Sequence, residues 1–167
     1  MKPKIKIYFD TSVISALFDD RNPDRKHLTE IFFANITEFD PYISSITNAE
    51  IDHSPDEDLK DKMKACVKRF IILETCNDID FLAQQYIENG AIPRGYQADA
   101  YHVAFAVFYE IDYLLSWNFK HVVRQKTCVI VKFVNTKNNY RNVDIMTQRN
   151  SCDDGHGWNF QAWFGEN

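Results

Sequence analysis

Lys4-Ile5-Lys6-Ile7-Tyr8-Phe9-Asp10-Thr11-Ser12 sets β-branched and aromatic residues in a row, stops at an acid, and continues with two hydroxyl residues. The pattern predicts a β-strand, and Val13-Ile14-Ser15-Ala16-Leu17-Phe18 follows it directly as the start of a helix. Asp10 therefore stands where a strand hands over to a helix. In open α/β sheets the ligand crevice lies outside the carboxyl ends of the strands, which makes Asp10 the first candidate for chemistry.

The rest of the chain repeats the same alternation. Asn22 and Pro23 have the order of a helix cap and first position, and Leu28, Ile31, Phe32, Asn35 and Ile36 follow at helical spacing until Asp40-Pro41 ends the helix. Tyr42-Ile43-Ser44 predicts a second strand. Thr47 to Asp52 predicts a short helix, and Ser54-Pro55-Asp56-Glu57 opens another that turns Leu59, Met63 and Val67 inward. Phe70-Ile71-Ile72-Leu73, apolar throughout, predicts a strand covered on both faces. Asn77 begins a helix with Ile79, Leu82, Ala83, Tyr86 and Ile87 on one stripe, and Asn89-Gly90 ends it. Gln97 to Glu110 is so densely apolar that its helix must lie against the sheet. Tyr113-Leu114-Leu115-Ser116 predicts a strand, Asn118 to Arg124 a short helix, Cys128-Val129-Ile130-Val131 a further strand, and Val143-Asp144-Ile145-Met146 a small edge strand. Short apolar strands alternating with helices predict an α/β fold, with a parallel sheet and helices on both faces. The expected domain is 1–146, followed by an aromatic tail, 147–167, without periodicity.

With 167 residues, 45% of them hydrophobic, the chain is long enough for one domain with a sizeable core. No stretch approaches the roughly 18 consecutive apolar residues of a membrane span, and the start carries no signal-type segment, so a cytoplasmic protein without membrane association is expected. Cys66, Cys76, Cys128 and Cys152 are scattered, which argues against a zinc site or a disulfide framework and predicts reduced thiols. A net charge of −5 counts against a protein that coats nucleic acid by bulk electrostatics. It leaves room for local contacts: between Asn118 and Arg149 the basic residues, Lys120, Arg124 and Lys126 among them, face one acid, Asp144.

Asp10, Glu50, Asp99 and Asn118 each have a structural explanation as helix-capping or first-turn residues. Their combination suggests more. In a parallel sheet the strand ends open on one edge, so the acids converge there. Gathered carboxylates repel unless protons or a cation neutralise them. Oxygen ligands without nearby cysteine favour a hard ion, Mg²⁺ or Mn²⁺, which can hold a phosphate oxygen and lower the pKa of bound water.

Four stretches together resemble the PIN-domain nucleases, in particular the VapC toxins of type II toxin–antitoxin systems. They are Tyr8 to Phe18, Ile46 to Ile51, Ala98 to Ala106 and Ile111 to His121, in the family's order and at compatible spacing. The resemblance implies a three-layer α/β/α sandwich around a mainly parallel sheet and metal-dependent cleavage of RNA. It implies Asp10, Glu50 and Asp99 as the acids that bind Mg²⁺ or Mn²⁺. Asn118 stands where many members carry a fourth acid; its amide oxygen can still ligate an ion or orient the attacking water. Ser12 and Thr11 are candidates to hydrogen-bond Asp10 or a phosphate, and Lys120, His121 and Arg124 to meet RNA phosphates at the rim. An antitoxin partner and a homodimer are implied as well. The alternative reading is a domain of the same fold that binds RNA or a protein partner without cleaving.

Overall fold

In the computed structural model, which describes residues 3–147, β1 (Ile5–Phe9) is the middle of a five-stranded sheet ordered β3-β2-β1-β4-β5. The other strands are β2 (Phe39–Ser44), β3 (Ile71–Leu73), β4 (Tyr113–Leu115) and β5 (Asp144–Met146), and every pairing is parallel. Alternation along β1 builds the three layers. Ile7 and Phe9 face one apolar cluster with Val13, Phe32, Ile51 and Met63, while Tyr8 faces the other with Leu82, Tyr86, Val103, Phe105 and Val131. The first cluster sits under α1 (Thr11–Ala16), α2 (Pro23–Ala34), α3 (Ser45–Asp52) and α4 (Glu57–Val67). The second sits under α5 (Asn77–Glu88), α6 (Gln97–Phe108) and α7 (Gln125–Lys137). This is the three-layer α/β/α, PIN-like sandwich.

Phe9 anchors the first layer, with its ring centroid 5.4 Å from Phe32 and 5.3 Å from Phe70. Full burial of such a side chain contributes about 1.5–3 kcal/mol. At the opposite end of the sheet from Asp10, the Asp112 carboxylate accepts the Lys6 backbone N–H at 2.9 Å and an Arg141 guanidinium N–H at 3.0 Å, which holds the start of β4 beside β1.

Several local expectations need correction. Cys128 to Val131 is not a strand but part of α7, whose buried Cys128, Val131, Val134 and Asn135 recur at helical spacing while Val129 and Phe133 face outward. β3 is an edge strand, with Ile71 and Ile72 nearly half exposed rather than covered on both faces. Residues 119–124 form turns and bends instead of a helix. β2 begins before Pro41, and β3 starts opposite Tyr42, so at Pro41 the strand has a neighbour on one side only. That position tolerates a missing N–H. Asp56 caps α4, accepting from the Leu59 N–H, and Ser54 does not. Cys66 and Cys76 are free thiols, as expected, and Cys152 lies outside the described residues. The expected tail lies, from residue 148, outside the described residues. Among those described, no helix is long and apolar enough to cross a membrane.

Candidate active site

The order of strands reverses direction at β1, which has β2 on one side and β4 on the other. Such a switch point is where open α/β sheets place their crevice, and Asp10 is the residue that follows β1 there. Its carboxylate caps α1, accepting the Val13 N–H at 3.3 Å. The cap does not exhaust it. Ser12 donates its hydroxyl to Oδ1, and Ser116, the residue after β4, donates to Oδ2. Each serine is itself fixed, because Ser12 Oγ accepts the Trp117 N–H at 2.8 Å and Ser116 Oγ the Asn118 N–H at 2.9 Å. The indole of Trp117 is pinned in turn, donating to Thr29 Oγ1 at 3.1 Å. Asp10 is 3% exposed. Burial pushes its pKa above the ordinary carboxylate value, against the opposing pull of the His102 charge and the two serine bonds.

Glu50 is released for the site by the way α3 begins. Ser44 is the cap, and Ser44 and Thr47 form the reciprocal capping box, so Glu50 takes no part in capping the helix. Glu50 Oε2 instead accepts from the Thr11 hydroxyl and lies 2.9 Å from His102 Nε2. His102, on α6 and 2% exposed, has its other nitrogen 2.7 Å from the Tyr8 hydroxyl, which is itself 2.7 Å from Ser44 Oγ. A continuous buried hydrogen-bonded line thus runs from the end of β2 through β1 and α6 to Glu50. Burial works against the charge on both members of the pair. For His102 it is outweighed by Tyr8, Glu50 and Asp10, and the imidazole pKa is raised well above its ordinary value. For Glu50 it is outweighed by the bond and charge of His102 and by Thr11, and the pKa is lowered.

Asp99 lies in the first turn of α6. One carboxylate oxygen accepts the Asn118 amide N–H at 3.0 Å, and the other lies 2.9 Å from His121 Nδ1. Asn118 Oδ1 accepts the His121 backbone N–H at 3.0 Å. These two partners fix the orientation of the amide, since a carboxylate needs a donor and an N–H an acceptor. Asn118 therefore offers Asp99 a donor, and its oxygen is spent on the following turn.

The candidates thus fall into three clasped carboxylates: Asp10 with Ser12, Glu50 with Thr11, and Asp99 with Asn118 and His121. Thr11 serves Glu50 rather than Asp10. His121 is 5% exposed and turned to Asp99, while Lys120 and Arg124 are exposed. The sequence favours for His102 a packed, hydrogen-bonded group beside the core, and the structure places it so; Ser116 and Tyr8 were not legible in the sequence. Ser116 had a signal, a hydroxyl directly after a strand as at Ser12, but Tyr8 reads in sequence as one more aromatic core residue.

Three carboxylates, two of them with hydroxyl neighbours, are the donor chemistry of a hard divalent ion, and a buried Asp10 with a raised pKa is a group whose ionised form a nearby cation would stabilise. The residues fit such an ion in kind. They are not preassembled around one point: among the described residues, no three His, Cys, Asp or Glu side chains stand together as a metal-binding group.

No protein-family model and no curated protein matches the chain. Solved structures do. VapBC2 from Rickettsia felis, crystallised bound to a DNA fragment from its promoter, matches with a TM-score of 0.52 at 16% identity, covering 84% of this chain and 98% of that one. DNA-bound VapBC from Salmonella typhimurium matches with a TM-score of 0.50 at 17% identity, over 70% and 89% of the two chains. VapBC-1 from nontypeable Haemophilus influenzae gives 0.50 at 18% identity, over 69% and 88%. At these identities the likeness is one of fold.

Proposed function

We propose that the chain is a metal-dependent endoribonuclease and the toxin of a toxin–antitoxin pair. The observation that carries this reading is the buried Asp10 carboxylate at the switch point, held between Ser12 and Ser116, with Glu50 and Asp99 brought to the same edge of a fold shared with VapBC structures. Asp10, Glu50 and Asp99 would hold Mg²⁺ or Mn²⁺, which when bound polarises a phosphodiester and lowers the pKa of a water.

The protein's own groups do the rest. Ser12 and Ser116 orient Asp10, Thr11 and His102 orient Glu50, and Asn118 and His121 orient Asp99. Lys120 and Arg124, exposed beside Asn118, are positioned in sequence to meet phosphates, which fix a strand's register without reading its bases. The partner of a toxin is an antitoxin protein, and we extend the proposal to that partner, to a homodimer and to a cytoplasmic setting.

Purified protein with Mn²⁺ should cut total RNA and stop when EDTA is added. Asp10→Asn should abolish cleavage while the protein stays folded, and an Asp10→Asn protein that cuts as fast as the parent overturns the reading. A second reading, a domain that binds without cleaving, is favoured by one observation. All three carboxylates are already engaged by protein donors, and Asn118 supplies an amide instead of a further charge. A melting temperature unmoved by Mn²⁺ would select it.

A further inference from the structure

Two large aromatic side chains stand open beside the acids. Tyr96 is 44% exposed and Phe119 57% exposed. Each is one contact away from Asp99. The Tyr96 ring lies against the His121 imidazole, centroid to centroid 3.8 Å, and that imidazole holds Asp99 at 2.9 Å. Phe119 directly follows Asn118, whose amide holds the other oxygen of Asp99, and its ring centroid is 6.0 Å from that of Trp117.

Neither side chain is explained by the local backbone. Tyr96 occupies the cap position of α6, where a short oxygen-bearing side chain is favoured, and it makes no side-chain capping bond. Phe119 sits in a turn with more than half its surface in water. Cations border them: Lys120 Nζ is 6.0 Å from the Tyr96 ring centroid, the Arg124 guanidinium donates to the Lys120 carbonyl at 3.2 Å, and Phe119 directly precedes Lys120 in the chain.

We propose that Tyr96 and Phe119 form a stacking platform for the unpaired bases of a single-stranded polynucleotide, whose backbone then runs past Lys120 toward Asp99. Exposed rings bordered by cations are the chemistry of single-strand recognition: bases stack on the rings, and the cations follow the phosphates. A purely apolar partner surface would leave Lys120 and Arg124 desolvated without counter-charges, whereas phosphates supply them. A duplex does not fit, because its bases are already stacked on one another. The platform deepens the nuclease reading by naming the state of its substrate, and it rests on that reading only in taking the bound strand to be the one cleaved.

Binding is measured in EDTA, where cleavage is off, with a fluorescein-labelled single-stranded RNA of about twelve nucleotides. A DNA strand of the same sequence and an RNA duplex are the other two arms. The double variant Tyr96→Leu, Phe119→Ala should weaken binding of the single strand about tenfold or more, while Tyr96→Phe should leave it unchanged and the duplex should bind weakly to all. Leu at 96 keeps an apolar cover over His121 while removing the π face. If its melting temperature falls, Phe119→Ala alone decides, with a severalfold weakening expected.

Binding unchanged in the double variant overturns the platform, and so does an equal loss in Tyr96→Phe, which would make the hydroxyl the recognised group. Unchanged strand binding together with lost self-association in sedimentation would assign the patch to a protein interface and also overturn it. Asp10→Asn separates the two readings. If parent and Asp10→Asn bind the strand equally and neither cuts it with Mn²⁺, the platform stands and the nuclease reading falls. If the parent cuts and the double variant cuts with the same KM, the nuclease reading stands and the platform falls. Tighter RNA than DNA binding would assign recognition to the 2′-hydroxyl in addition to the bases, and equal binding leaves stacking as the recognition.

Discussion

His102 Nε2 stands 2.9 Å from Glu50 Oε2, although the two residues are 52 positions apart and the imidazole is 2% exposed. The pair joins α6 to α3 across the end of the sheet, with Tyr8 of β1 on its far side. Tyr8, Glu50 and Asp10 favour the charged form of this buried imidazole.

The stability of the protein should therefore decline through and above neutral pH. A histidine with a raised folded-state pKa contributes stability that is fully present below its unfolded value, 6.5, and lost as pH rises through the folded value. Asp10, also raised, adds a decline of the same sign at its own pKa. Urea unfolding between about pH 6 and 9 should show the fall in the parent, and His102→Gln should flatten it. Equal slopes in the two proteins would contradict the pairing.

Tyr8→Phe removes one hydroxyl that lies 2.7 Å from both His102 Nδ1 and Ser44 Oγ. Both partners are buried and lose a hydrogen bond without gaining water, so a loss of about 1–3 kcal/mol is expected. Chemical denaturation measures it, and a loss within error of zero would mean that the hydroxyl is not the link between β1 and α6.

Asn118→Asp replaces the donor on Asp99 with a second carboxylate. In EDTA the repulsion should lower the melting temperature by several degrees. Mn²⁺ should then raise it by more than it raises that of the parent, because a cation relieves the repulsion. A variant as stable as the parent in EDTA would show that the amide donates nothing of consequence to Asp99.

Thr29→Val keeps the shape of the α2 side chain under Trp117 but strips the acceptor from the buried indole N–H. An unsatisfied buried donor costs about 1–3 kcal/mol. Because Trp117 also donates its backbone N–H to Ser12, RNA cleavage should fall more than the lost stability alone accounts for. Cleavage assayed well below the melting transition separates the two effects.

The sheet and the acids were legible because their signals are local. A β-branched run ending at Asp10 and a dense apolar helix over Gln97–Phe108 need no tertiary information to be read. Cys128-Val129-Ile130-Val131 was misread for the same reason. Four β-branched or small apolar residues favour a strand locally, yet α7 buries Cys128 and Val131, one helical turn apart, and leaves Val129 exposed, so packing decides. Ile71 and Ile72 read as covered because sequence does not say which strand stands at an edge. The clasps were the least legible part. Ser116 with Asp10, Tyr8 with His102, and His121 with Asp99 join different elements, and no spacing rule links residues that only the folded sheet brings together.

The position of β1 between β2 and β4 also sets the order in which the candidate site can assemble. Asp10 and Glu50 leave the ribosome early, but the Ser116 hydroxyl that holds Asp10 is 106 residues downstream, and Asp99 and its partners Asn118 and His121 lie in the same late segment. Contacts so distant in sequence form after their long loop has closed. A nascent chain therefore carries an incomplete crevice until the segment from Asp99 to His121 has been made.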